Sequence, residues 1–264
     1  MTRIEALFTA FRGSGEKALV VYLTAGDPDR KASLEYISAA AEGGADIIEV
    51  GIPFSDPTAD GPTIQAASTR ALSAGTTVRG VLSLVSSFRE RYDTPVVLFG
   101  YYNPIFRYGV GPFCRDAGRA GADGILVVDL PPEEADEMAP AARTAGLNRI
   151  PLVAPTSGRR RIRRASESGS GFLYMISVTG ITGVRKSLPP GISTWAAAVR
   201  KESRLPVAIG FGISTPAMAR SAARHADAVV VGSACVRIVE RHGAGRAGPP
   251  AMRRFVRTLK TAMR

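Results

Sequence analysis

The sequence predicts an α/β fold, a (β/α)8 or TIM barrel with an extra N-terminal helix, spanning residues 1–264 as one domain. Three observations predict it. Eight short runs rich in Val, Ile and Leu recur along the chain. Several are nearly continuous rather than alternating, as parallel strands covered on both faces require. Stretches with helical spacing lie between them, and eight such repeats in 264 residues suit a closed barrel better than an open sheet.

The elements follow in order. Residues 3–11 form a short amphipathic stretch ahead of the first strand, expected to plug the barrel floor. The strands are expected at 19–23, 46–50, 95–99, 124–129, 150–154, 172–177, 206–210 and 226–231. Helical spacing covers 32–42, 78–91, 132–145 and 216–225. Asp29, Thr77 and Ser214 or Thr215 stand where N-caps belong, since their short side chains accept from the first free amides of a helix. A Gly- and Pro-containing stretch, 242–250, precedes a final amphipathic helix, and no linker divides the chain.

Composition removes several function classes. With two cysteines, Cys114 and Cys235, and two histidines, His225 and His242, neither a thiolate or histidine metal site nor a Ser-His-Asp triad is expected. Any acid–base chemistry falls to carboxylates, Tyr or Lys. No apolar run reaches the roughly 20 residues that span a bilayer, and no signal core opens the chain, so a cytoplasmic protein without a membrane partner is expected. The formal charge of +11 is concentrated at Arg159–Arg164 and in the last helix. No aromatic residues interleave with either run, so both read as solvated helix faces rather than nucleic-acid platforms.

In such barrels the site gathers at the C-terminal ends of the strands. The second strand reads Ile47-Ile48-Glu49-Val50-Gly51, with a carboxylate inside an apolar run. Burial as an ion is costly, so its pKa should rise toward the range of a proton shuttle. A plainer possibility is an edge Glu paired with a cation. The loop that follows, Pro53 to Pro62, carries Asp56 and Asp60 among three prolines that restrict its backbone. Asp60 faces the substrate or caps the next helix, and Asp56, before Pro57, suits a turn. Glycine-containing loops at 178–183, 210–214 and 232–234 would let the backbone approach a phosphate, or else serve tight strand–helix packing. Thr215 stands where a Rossmann fingerprint needs its third glycine, and no GK[ST] sequence exists.

These residues match a known family. The runs LTAGDP (23–28), EVGIPFSDPTADGPTIQ (49–65), GYYNP (100–104), DLPPEE (129–134), SVTGITG (177–183), GFGIS (210–214) and GSA (232–234) resemble the α subunit family of tryptophan synthase. They run in order through essentially the whole chain. The resemblance implies cofactor-free retro-aldol cleavage of indole-3-glycerol phosphate to indole and glyceraldehyde 3-phosphate. It implies Glu49 as general acid–base and Asp60 at the indole nitrogen, with Tyr22, Phe99, Tyr174 and Phe211 lining the indole pocket. It further implies Gly183, Gly212, Gly232 and Ser233 at the phosphate, and Thr182 on a loop that closes over the site. A pyridoxal-phosphate β subunit would meet Pro53, Asp56, Asn103 and Pro104. The alternatives are a free-standing lyase, acting on this or a substituted substrate, and a regulatory subunit that only binds a phosphorylated ligand.

Overall fold

The computed structural model describes residues 1–176, 190–210 and 212–264. The strands are β1 (Ala18–Thr24), β2 (Ile47–Gly51), β3 (Val96–Gly100), β4 (Gly124–Val127), β5 (Asn148–Arg149), β6 (Leu152–Val153), β7 (Leu173–Ile176), β8 (Val207–Gly210) and β9 (Ala228–Val231). All pair in parallel, in the order β5-β4-β3-β2-β1-β9-β8-β7-β6. The two ends of that order are joined by the chain itself, because only Ile150 and Pro151 separate β5 from β6. Ile150 N–H donates to Ile125 at 2.9 Å, and Tyr174 N–H donates to the Pro151 carbonyl at 2.9 Å. β5 and β6 are therefore two halves of one fifth strand, and the sheet closes on itself as the expected eight-stranded barrel. The expected strand at 150–154 begins earlier and is interrupted at Pro151, which lacks an N–H for the ladder.

Alternation along each strand sorts side chains into two cores. Leu19, Val21, Ile48, Val50, Leu98 and Val229 point outward into the helix layer. Ala18, Val20, Ile47, Val97, Ala208 and Val230 fill the barrel interior, where the N-terminal helix Arg3–Ser14 inserts Ile4 and Phe8 from below. That helix is the expected plug. Thr2 and Glu5 form a capping box, and Thr2 and Glu5 both also bond Asn148 across the floor.

Asp29, Thr77 and Thr215 cap their helices as expected, each accepting from an amide three residues on. Thr215, not Ser214, takes the third cap. The expected helix at 132–145 is instead a 3-10 turn, Pro132–Glu137, followed by an α-helix, Ala139–Thr144, because Pro140 interrupts the amide ladder. The expected helix at 78–91 ends at Arg89. Further helices at Pro62–Ser73, Tyr102–Tyr108, Val110–Arg119, Ile192–Glu202 and Ser233–His242 complete the outer layer with the final helix, Gly248–Ala262. The arginine run lies on the exposed helix Arg159–Ser168, where Arg159 and Arg163 pair with Glu202 and Arg161 with Glu133. No helix among the described residues is long and apolar enough to cross a membrane.

Candidate active site

The same two-residue period that buries Ile47 inside the barrel carries Glu49 inside, one layer nearer the C-terminal mouth. Tyr22 is its register partner on β1, and Phe99 and Tyr174 occupy the inward positions on β3 and β7. β2 lies between β1 and β3, so Glu49 is not an edge residue. It is fully buried, and among the described residues neither carboxylate oxygen has a hydrogen-bond partner. An unpaired ion there would forfeit its hydration without compensation, so desolvation raises the Glu49 pKa to about 8. At neutral pH this carboxyl carries its proton.

Asp60 differs in its surroundings. It lies in the loop after β2 and is 6% exposed. The helix that follows has Gly61 as its N-cap with no side-chain cap bond and Pro62 at its first turn, so Asp60 is not that helix's cap. Its backbone is held instead by Pro57, whose carbonyl accepts from the Asp60 N–H at 3.0 Å, and by Gln65, whose amide donates to the Asp60 carbonyl at 2.8 Å. Tyr101 donates its hydroxyl proton to Asp60 Oδ2 at 3.0 Å. Desolvation raises the Asp60 pKa to about 6, and the Tyr101 hydrogen bond opposes the rise. The two carboxyls thus hold opposite protonation states between roughly pH 6 and 8, the arrangement that suits one proton donor and one anion.

Both carboxyls lie within electrostatic reach of the same two inward phenols. The phenols of Tyr22 and Tyr174 have strongly raised pKa values from burial first, and each also feels the negative charge of both Glu49 and Asp60. Tyr22 packs edge-on against Phe99 with ring centroids 5.2 Å apart. Two glycines make room for the tyrosines: a Cβ on Gly51 would lie 2.3 Å from the Tyr22 hydroxyl, and one on Gly210 would lie 2.4 Å from that of Tyr174. Around the rim, Gly232 stands at the N-terminus of the helix Ser233–His242, whose first amides lack partners within the helix. Ser233 is buried there, and Gly212, with φ +64°, begins the turn after β8. All three thus follow the C-terminal ends of β8 and β9. The rim residues Pro53, Asp56, Asn103 and Pro104 sit on the same end. Asp56 and Asn103 are exposed, Pro104 is half-buried, and Pro53 is buried. Asp56 accepts from the Ser55 hydroxyl at 2.6 Å, which fits its alternative as a turn former.

Thr182, Gly183 and Phe211 lie outside the described residues, as do all of residues 177–189. Tyr101 is the site residue that reasoning from the sequence overlooked. Its signal was its position, immediately after β3 and within the run GYYNP, but nothing local shows that its hydroxyl reaches Asp60. Among the described residues no group of three or more His, Cys, Asp or Glu is placed to hold a metal.

The model of the family described as "Tryptophan synthase alpha chain" matches residues 8–263. The tryptophan synthase alpha chain of Geobacter sulfurreducens is 49% identical over 264 residues, covering 100% of this chain and 98% of its own. That of Geotalea daltonii is 51% identical over 241 residues, with 91% of each chain covered. Among solved structures, tryptophan synthase subunit alpha from Legionella pneumophila superposes with a TM-score of 0.93 at 37% identity, covering 100% of this chain and 98% of that one. A chain of Mycobacterium tuberculosis tryptophan synthase gives a TM-score of 0.92 at 37% identity, with the same coverage.

Proposed function

The chain belongs to the tryptophan synthase alpha chain family, and on that premise we propose that Glu49 and Asp60 carry its cleavage of indole-3-glycerol phosphate. The reaction is a carbon–carbon lyase step that yields indole and glyceraldehyde 3-phosphate. The protonated Glu49 carboxyl delivers its proton to indole C3, which converts the ring to a cationic indolenine. The Asp60 carboxylate accepts a hydrogen bond from the ring N–H and stabilises that cation. Glu49, now ionised, removes the proton of the glycerol hydroxyl next to the scissile bond. The aldehyde C=O forms, the C–C bond breaks, and its electron pair returns to the ring as neutral indole. Glu49 ends the cycle protonated, so no external acid or base is consumed.

One observation carries this reading: two buried carboxyls that act on the same two phenols, Glu49 without a hydrogen-bond donor among the described residues and Asp60 with the Tyr101 hydroxyl, the first neutral and the second ionised near pH 7. Tyr22, Phe99 and Tyr174 are the walls for the indole ring, and backbone amides at Gly212, Gly232 and Ser233 are the phosphate's partners, with Thr182, Gly183 and Phe211 completing the set. The placement of the first six around one mouth supports these roles.

Family membership implies a phosphorylated substrate and partnership with a tryptophan synthase β subunit. We place that contact on the rim at Pro53, Asp56, Asn103 and Pro104, which the exposure of Asp56 and Asn103 beside the mouth supports. Membership in a family of synthase subunits favours this reading over a free-standing lyase, and the two carboxyls favour it over an idle regulatory subunit.

The test is incubation of purified protein with indole-3-glycerol phosphate, alone and with a β subunit, while indole and glyceraldehyde 3-phosphate are measured. Glu49→Gln and Asp60→Asn are each expected to lower turnover by about 10²-fold or more. Turnover like the wild type in either variant ends the assignment.

A further inference from the structure

The Tyr101 hydroxyl is committed on both sides. The residue follows β3 directly, is 3% exposed, and packs its ring on Phe54 with centroids 5.4 Å apart, so its hydroxyl has little freedom to move. The Ala59 N–H donates to that hydroxyl at 3.0 Å, and the hydroxyl lies 3.0 Å from Asp60 Oδ2. A backbone N–H can only donate, so it occupies the oxygen's acceptor side and leaves the phenolic proton for Asp60. The polarity of the chain Ala59 N–H to Tyr101 O–H to Asp60 is therefore set by covalent structure. A proton donor fixed in this direction stabilises the ionised carboxylate and opposes its protonation.

We propose that Tyr101 is a positioning residue for the cleavage, holding Asp60 at the angle and in the ionised state that the cationic ring requires. This rests on the role of Asp60 proposed above. The arrangement solves a specific problem. Asp60 lies on the loop after β2, with Gly61 alone between it and the helix Pro62–Ser73, and the loop's own hydrogen bonds hold only its backbone. Tyr101 ties the side chain to the neighbouring barrel strand and, through Ala59, ties the preceding peptide to the same atom. One hydroxyl thereby fixes both the loop and the carboxylate it carries. Glu49, which must hold and release a proton, has no equivalent donor.

The experiment is Tyr101→Phe in the full chain, which keeps the ring on Phe54 and removes only the hydroxyl. The kcat for indole release is expected to fall about 10-fold or more, as for loss of one hydrogen bond to a charged group, while KM changes much less. The acidic limb of the pH–rate profile is expected to move to higher pH, so the deficit is larger at pH 6 than at pH 8. A general loosening of the fold would not produce that displacement. In an Asp60→Asn background the same substitution is expected to cause no further loss, because Tyr101 acts through Asp60. A wild-type kcat with an unmoved acidic limb, or a full additional loss in the Asp60→Asn background, overturns the proposal. An active Asp60→Asn enzyme would instead overturn the underlying role of Asp60, so the two failures are distinguishable.

Discussion

The Tyr22 ring lies across Gly51 of the neighbouring strand so closely that a Cβ at position 51 would meet the Tyr22 hydroxyl at 2.3 Å and its ring at 2.7 Å. Gly51 and Glu49 share the inward face of β2, so the absence of a side chain at 51 lets Tyr22 lean across the mouth beside the carboxyl. Gly51→Ala should displace a ring that is also packed on Phe99. We expect a stability loss of about 1–3 kcal/mol, typical of overpacking, and a larger proportional loss of kcat/KM. Urea denaturation and indole release measured on one preparation check this. Unchanged activity would place the Tyr22 ring outside the substrate pocket.

Removing the charge at Glu49 should stabilise the fold above acidic pH. Its folded pKa, about 8, lies above the unfolded value near 4.5. The folded state therefore binds this proton more tightly, and the advantage present below the unfolded pKa is lost as pH rises toward 8. Glu49→Gln lacks this titration. Relative to wild type it should gain at least about 1 kcal/mol between pH 5 and pH 8, read from urea midpoints. A difference that does not grow with pH would contradict the buried, unpaired carboxyl.

The kcat/KM profile should be bell-shaped. Asp60 must be ionised, so activity falls as pH drops through about 6, and Glu49 must start protonated, so it falls again as pH rises through about 8. Steady-state rates across pH 5 to 9 test this. A flat profile over that range would remove one of the two carboxyls from the chemistry.

Gly232 separates phosphate binding from packing. An added Cβ would come no nearer than 3.4 Å to Tyr22, an ordinary contact, and φ −115° suits any residue. Gly232→Ala is therefore expected to leave stability within about 0.5 kcal/mol of wild type while raising KM several-fold, because the added methyl would crowd the phosphate proposed to sit at this backbone. Unaltered KM would move the phosphate elsewhere on the rim.

Much of this was legible along the chain because it depends on local period. Alternation puts Glu49 on the same face of β2 as Ile47, but a run buried on both faces does not say which face is the interior, so an edge pairing stayed open, and Tyr22, Phe99 and Tyr174 came only from the family resemblance. Side-chain caps at Asp29, Thr77 and Thr215 follow from single residues. The broken fifth strand was less legible, since an apolar run does not reveal which amides Pro151 withholds.

The sequence by itself determined the barrel, its plug, a carboxylate within an apolar strand and the family to which they belong, because spacing and residue type suffice for each. Tertiary structure alone decided which groups meet: Tyr101 with Asp60, 41 residues apart, and Arg70 with the buried Asp27, 43 apart. Those pairs arise where elements distant along the chain are packed side by side. No local pattern encodes how completely packing desolvates each carboxyl or the direction in which a hydroxyl points once they meet, and the two together separate a neutral Glu49 from an ionised Asp60.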